Sequence, residues 1–406
     1  MRIKGLSSKK IRGNFMGVTF NENFDIDLQE VSFPATDELK KKTNTEKDEK
    51  TTLISELSIQ GYKKIKENNI GDAKEYFKRI LELDENNNYA LVGLGDSARK
   101  QGNFIESINC YNECLKYHPE NSYALFGLAD CYKAMNQFSK AIDIWEEYLK
   151  HDNTNITVLT RIADAYRKIH DFKKSKDIYL KVLESEDDNA YALIGIGHLY
   201  YDFKNYNEAL KYWTKMYDLH KEHVDIRILT SIGNCHRKLK TFSGGIPYFE
   251  KALELDPDNF YALFGLADCY RGMNLQHKSI EYWNRILKID PENKVILTRI
   301  GDAYRNTGDY KKAEEYYTRA LDIDFDIYAA MGLALLCKCE EKYDEAISRF
   351  KNLIRNDQKN YRLYIDLADC YLKTNKKEKA IKTLESFRLL GLHSSAVNEL
   401  IDNIKA

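Results

Sequence analysis

The chain has 406 residues, with 62 Lys and Arg against 63 Asp and Glu, only 20 Gly and 5 Pro, and 29 Tyr. Charges that nearly cancel leave no electrostatic footprint for nucleic acid or acidic lipid, and no apolar run is long enough to insert into a bilayer. Few breakers and 31% charged residues suit long amphipathic helices rather than two or three mixed domains.

The opening, MRIKGLSSKKIRGNF, is basic but leads into no apolar core, so it does not read as a secretory signal. Residues 14–33 carry Phe20, Phe24, Ile26, Leu28, Val31 and Phe33, with Ile26 and Leu28 alternating with acids. Two readings of this stretch stay open: a disordered tail, or an extended segment that docks on a partner or on the protein's own groove. Residues 37–52 (DELKKKTNTEKDEKTT) read as a charged, flexible linker. Residues 1–53 are therefore expected to be a non-repeat arm.

From Ile54 onward the sequence repeats itself. YALFGLADCY at Tyr123–Tyr132 returns at Tyr261–Tyr270, and LTRIADAYR at Leu159–Arg167 returns as LTRIGDAYR at Leu297–Arg305. Both pairs are 138 residues apart, four 34-residue units plus two. Each unit carries a small residue in its first helix (Gly61, Gly95, Ala129, Ala163, Gly197, Gly233, Ala267, Gly301, Ala334, Ala368) and another twelve positions on, from Ala73 to Ala380. Four residues further stands a bulky one: Phe77, Tyr111, Trp145, Tyr179, Trp213, Phe249, Trp283, Tyr317, Phe350 and Leu384. Small residues let two antiparallel helices approach, and the ring fills the gap between hairpins. Pro119, Pro257 and Pro291 fall where second helices should stop.

This pattern resembles the tetratricopeptide repeat, over roughly Ile54 to Leu392. The resemblance implies an all-α, right-handed α-solenoid of about ten helical hairpins whose first helices line a concave groove. The repeats are placed at 54–87, 88–121, 122–155, 156–189, 190–225, 226–259, 260–293, 294–326, 327–360 and 361–393. A capping helix is expected over 394–406, where Val397, Leu400, Ile401 and Ile404 form one stripe. Two irregularities stand out. The fifth repeat has two extra residues around Lys221–Val224. In the sixth, SGGIPYF (Ser243–Phe249) predicts a late-starting or kinked second helix and a weak joint.

The resemblance also places the second, fifth, ninth and twelfth residues of each first helix on the groove. Repeats three and four then give Tyr123, Phe126, Asp130, Thr160, Asp164 and Arg167, with Arg161 an added cation. Repeats seven and eight give the matched set Tyr261, Phe264, Asp268, Thr298, Asp302 and Arg305, with Arg299 added. These residues are the candidate partner-binding groove. An Asp–Arg ladder can be structural pairing, or it can offer hydrogen bonds to a bound chain. The matching of the sets can be mere duplication, or it can mark two similar pockets. Co-chaperone members of the family clamp a carboxylate with Lys, Asn and Arg at the fifth and ninth positions. Here the fifth is apolar or Thr and the ninth mostly Asp, so that activity does not carry over.

No phosphate-binding, dinucleotide or nucleophile-elbow motif is present, and His220 and His223 lack a ligand set, so no cofactor, metal or catalytic residue is expected. Eight Cys lie mostly within helical patterns and read as buried, reduced thiols of a cytoplasmic protein; His236 stands where other repeats have Tyr and reads as packing. The expected function is a non-enzymatic scaffold or adaptor holding a protein or peptide ligand. The alternative is a self-associating structural subunit of a large assembly.

Overall fold

A computed structural model describes residues 45–221 and 225–405, and the described residues contain helices and turns but no strand. The segment 14–33, His223 and most of the Lys221–Val224 insertion lie outside the described residues. The chain divides into two compact units, residues 1–85 and 86–406.

In the first unit α1 (Thr45–Lys66) and α2 (Ile70–Leu83) form one hairpin. Phe77 of α2 is fully buried, and a β-carbon at Gly61 of α1 would come within 2.7 Å of its ring. Residues 45–52, expected to be flexible linker, are helical instead. Their Glu and Lys are strong helix formers.

The second unit runs α3 (Asn88–Lys100), α4 (Phe104–Tyr117), α5 (Ser122–Ala134), α6 (Phe138–Leu149), α7 (Ile156–Lys168), α8 (Phe172–Ser185), α9 (Ala190–Asp202) and α10 (Tyr206–Leu219). It continues with α11 (Ile226–Lys238), α12 (Phe242–Leu255), α13 (Phe260–Gly272), α14 (Gln276–Ile289), α15 (Lys294–Asn306) and α16 (Tyr310–Ile323). Last come α17 (Ile327–Cys339), α18 (Tyr343–Asn356), α19 (Tyr361–Lys373), α20 (Lys377–Leu389) and α21 (Ser395–Lys405). Within this unit each helix packs on its sequence neighbours, and first helices also meet across repeats, as α3 on α5, α7 on α9, α11 on α13 and α15 on α17. This is an all-α solenoid.

Local chemistry starts and stops each hairpin. Asn87, Asn121, Asn155, Asn189, Asn259 and Asn293 each cap a first helix, the side-chain oxygen accepting the N–H three residues on. One residue between the helices of each hairpin takes a positive φ. Only Gly102 and Gly308 are glycines there; the rest include Asn136, His170, Lys204 and Lys240. Second helices α4, α12 and α14 end two residues before Pro119, Pro257 and Pro291, on cap residues that have left the helical region.

The bulky residue of every second helix in this unit is at most 2% exposed. The rings of Tyr111, Phe249 and Tyr317 wedge between their own first helix and the next one. A β-carbon at Gly95 would lie 2.6 Å from the Tyr111 ring, and one at Gly127 of the next repeat 2.3 Å from its tip. Phe249 meets Gly233 and Gly265 in the same way, and Tyr317 meets Gly301 and Gly332. α20 closes the series with Leu384, and Val397, Ile401 and Ile404 of α21 bury their stripe in the same core.

The late start expected of the second helix in the sixth repeat does not occur. α12 starts at Phe242 and runs 14 residues with Pro247 inside it, so it does not start late. Its first turn is tighter instead: Gly244 N–H donates to Thr241 O at 3.0 Å, an i to i+3 bond, where α4 opens with Ser107 N–H on Asn103 O. The paired glycines allow the close fit. A β-carbon on Gly244 would stand 2.7 Å from the His236 ring, and one on Gly245 3.0 Å from the Gly233 carbonyl.

Candidate partner-binding face

The ninth and twelfth residues of the first helices follow the helical period into one line, but the structure groups them differently from the six-residue sets. Asp130 (α5) accepts from Arg161 (α7) at 2.7 Å and faces Arg99 (α3) at 3.5 Å, so three consecutive first helices meet at one carboxylate. Arg161 also covers the Phe126 ring at 4.7 Å. The related cluster is tighter. Asp268 (α13) accepts from Arg237 (α11) at 2.7 Å and Arg299 (α15) at 2.8 Å, and meets Arg271 at 3.3 Å. Arg299 covers Phe264 at 4.8 Å.

Thr160, Asp164 and Arg167 do not join the Asp130 cluster. Thr160 is buried and donates back to Thr157 O. Arg167 is buried, bonding Asp164 at 2.8 Å and Asp202 of the next repeat at 2.5 Å. Burial opposes ionisation of Asp164, yet Arg167 and Lys133 hold its carboxyl below the usual range. Thr298 is buried with its hydroxyl 3.5 Å from Asp326. Asp302 accepts the Tyr317 hydroxyl at 2.7 Å and faces Arg305 at 3.5 Å; burial and Asp302 push the Tyr317 phenol well up. Tyr123 and Tyr261 sit at the edge of the line, exposed.

Two kinds of residue were missed from sequence. Arg99 and Arg237, the N-terminal partners of Asp130 and Asp268, stand at the twelfth position of first helices outside the two sets. The sixth position of each first helix supplies more than the added cations Arg161 and Arg299. It holds Gly127, Gly195, Gly265 and Gly332 where the preceding ring is Tyr111, Tyr179, Phe249 or Tyr317, and Arg161, Ser231 or Arg299 where it is Trp145, Trp213 or Trp283. That alternation is the signal for both the ring seat and the ion clusters. At the last interface the polarity is reversed: Lys338 is held by Asp366, at the sixth position, and Asp369 at 2.9 and 2.8 Å, which overcomes burial and pushes its pKa up to about 12.

Cys131, Cys235, Cys269 and Cys370 share one buried position, and burial pushes the thiols of Cys235 and Cys269 up to about 12. All eight cysteines are free thiols, but Cys339 is exposed and Cys110 half-buried, so the expectation of buried thiols holds only for the other six. Among the described residues no group of three or more His, Cys, Asp or Glu could hold a metal ion, and no helix is long and apolar enough to cross a membrane.

Tetratricopeptide-repeat family models match residues 98–157, 156–189, 226–259, 248–281, 295–326 and 340–401. This chain belongs to the tetratricopeptide repeat family. No curated protein sequence matches it. Among solved structures, this tetratricopeptide-repeat chain is similar to MamA at 25% identity and TM-score 0.38, over 40% of this chain and 94% of that one. It is similar to YrrB, a TPR protein with an unusual peptide-binding site, at 20% identity and TM-score 0.41, over 46% and 95%. It is similar to yeast Tom70 at 16% identity and TM-score 0.42, over 88% and 96%.

Proposed function

We propose that the chain is a non-catalytic scaffold that holds a peptide or protein segment against the first-helix face of residues 86–406, the face that its family uses as a concave groove. One observation carries the reading. Every stacking ring of that unit is sequestered, yet the second position of the first helices leaves Tyr89, Tyr123, Tyr261 and Tyr328 between 36% and 50% exposed. Those rings lie outside the fully buried core, and exposed aromatic side chains are typical anchors for a protein partner. The free thiols support a reducing, cytoplasmic setting.

Asp130 and Asp268 are poor probes of binding because both are enclosed by arginines. The exposed tyrosines are better. Affinity capture with mass spectrometry, comparing wild type with the Tyr123→Ala, Tyr261→Ala and Tyr328→Ala triple variant, should show specific partners lost at an unchanged melting temperature. Identical capture by both proteins would remove the first-helix face as the binding surface. Light scattering that shows concentration-dependent assembly would favour a self-associating subunit instead.

A further inference from the structure

We propose that the cluster of Arg237, Arg271 and Arg299 around Asp268 accepts an aspartate or glutamate side chain of an extended protein segment, whereas the related cluster around Asp130 does not. This rests on the first-helix face being the binding face and gives that face a charge preference and a location.

The argument is a charge count between two sites built alike. Arg99, Asp130 and Arg161 stand 138 residues before Arg237, Asp268 and Arg299. In the first site Arg99 is shared between Asp96 at 3.1 Å and Asp130, and Arg161 bonds Asp130, so two guanidiniums meet two carboxylates. In the second, Asn234 replaces Asp96 and accepts from Arg237 as a neutral amide at 3.1 Å. The hydroxyl that steadies Asp96 is also gone, since Tyr111 donates to Asp96 at 2.7 Å and Phe249 stands in its place. Arg271 replaces Lys133 and adds a third guanidinium to Asp268. Three cations therefore contact one carboxylate.

That carboxylate is only 4% exposed and cannot turn outward, whereas the side chains of Arg271 and Arg299 are 47% and 28% exposed. Burial depresses the pKa of Arg299, and Arg271 and Arg237 add to this against the opposing carboxylates of Asp268 and Asp302. Arg271 and Arg299 hold the same Oδ1 of Asp268, at 3.3 and 2.8 Å, which keeps their outward donors close enough to share one incoming carboxylate. Tyr261 lies exposed three residues before Phe264 on the same helix and offers apolar contact to the flanking residues of the segment.

The full chain, immobilised, is panned against a random 12-residue peptide phage library, and enriched peptides are synthesised with their Asp and Glu intact or replaced by Asn and Gln. Wild type should enrich acidic peptides and bind them about tenfold or more tighter than the amide versions at low salt, a difference that added salt erodes. Asn234→Asp restores the balance of the first site and should bring the ratio close to one, as should Arg271→Ala. Asp96→Asn combined with Lys133→Arg, which together reproduce the count of the second site, should create a second acid-preferring site and raise the stoichiometry from one to two. Enriched peptides without acidic bias, or a ratio that Asn234→Asp leaves unchanged, would overturn the charge preference while leaving the binding face intact. No enrichment of any peptide would overturn the binding face itself.

Discussion

The tip of the Tyr111 ring occupies the space that a side chain on Gly127 would need: a β-carbon there would lie 2.3 Å from Cζ and 2.5 Å from the hydroxyl. The ring cannot swing away, because its hydroxyl donates to Asp96 at 2.7 Å and accepts from Arg99 at 3.3 Å. Gly→Ala inside a helix ordinarily stabilises by about 1 kcal/mol. At Gly127 the overpacking term, about 1–3 kcal/mol, opposes it and is the larger. Gly127→Ala should lower the denaturant midpoint. Gly71→Ala, on a helix where nothing lies within 4 Å of the new carbon, should not. Equal midpoints for the two variants would show that the ring yields.

Asp268 is the next point of leverage. Removing it takes away the carboxylate that Arg237, Arg271 and Arg299 share, at a position only 4% exposed. Breaking one partner of a buried ionic cluster costs about 3–5 kcal/mol. Glu75, whose pair with Lys78 leaves the two side chains 69% and 58% exposed, provides the contrast. Asp268→Ala should cost several kcal/mol in chemical denaturation and Glu75→Ala no more than about 1 kcal/mol. A small loss at Asp268 would mean that water already screens the cluster.

The repeat period was readable because close helix approach and ring burial each demand one residue type at one spacing, and Trp145, Trp213 and Trp283 announce that spacing. The pairing of Asp130 with Arg99 and Arg161 was not. Those residues are 31 apart on either side, and periodicity says which side chains share a stripe but not which of several ions along it will touch. Pro247 misled because intrinsic propensity counts its lost hydrogen bond but not the packing of Phe249 and Ala252, both fully buried, that holds α12 in register. The helical start at Thr45 was hidden by a composition that fits a charged linker and a solvated helix equally well.

Lys240 adopts φ +60° in the turn between α11 and α12, the left-handed region that Gly102 and Gly308 occupy in other repeats. A side chain there costs about 1 kcal/mol. The greater freedom of glycine in the unfolded chain takes back part of that gain. Lys240→Gly should therefore raise stability by about 0.5 kcal/mol, seen as a small rise in melting temperature. A fall would mean that the Lys240 side chain contributes more to the fold than its backbone strain costs.

His236 gives the chain a pH dependence of known sign. Its ring stacks on Tyr248 at 6.1 Å and its Nδ1 lies 2.9 Å from the Thr241 hydroxyl, and burial pulls its pKa below the ordinary histidine value. In the unfolded chain the imidazole takes a proton near pH 6.5. In the folded chain it does so only at lower pH, so between those two values the unfolded state binds more protons and stability rises with pH. The stabilisation is complete above the unfolded value and is lost as acidification passes from there down to the folded one. His236→Tyr, which installs the residue that Tyr132 and Tyr166 provide in earlier repeats, removes this titration. The drop in melting temperature between pH 7.5 and pH 5.5 should therefore be smaller in the variant than in wild type, and parallel pH profiles would show that His236 does not contribute to it.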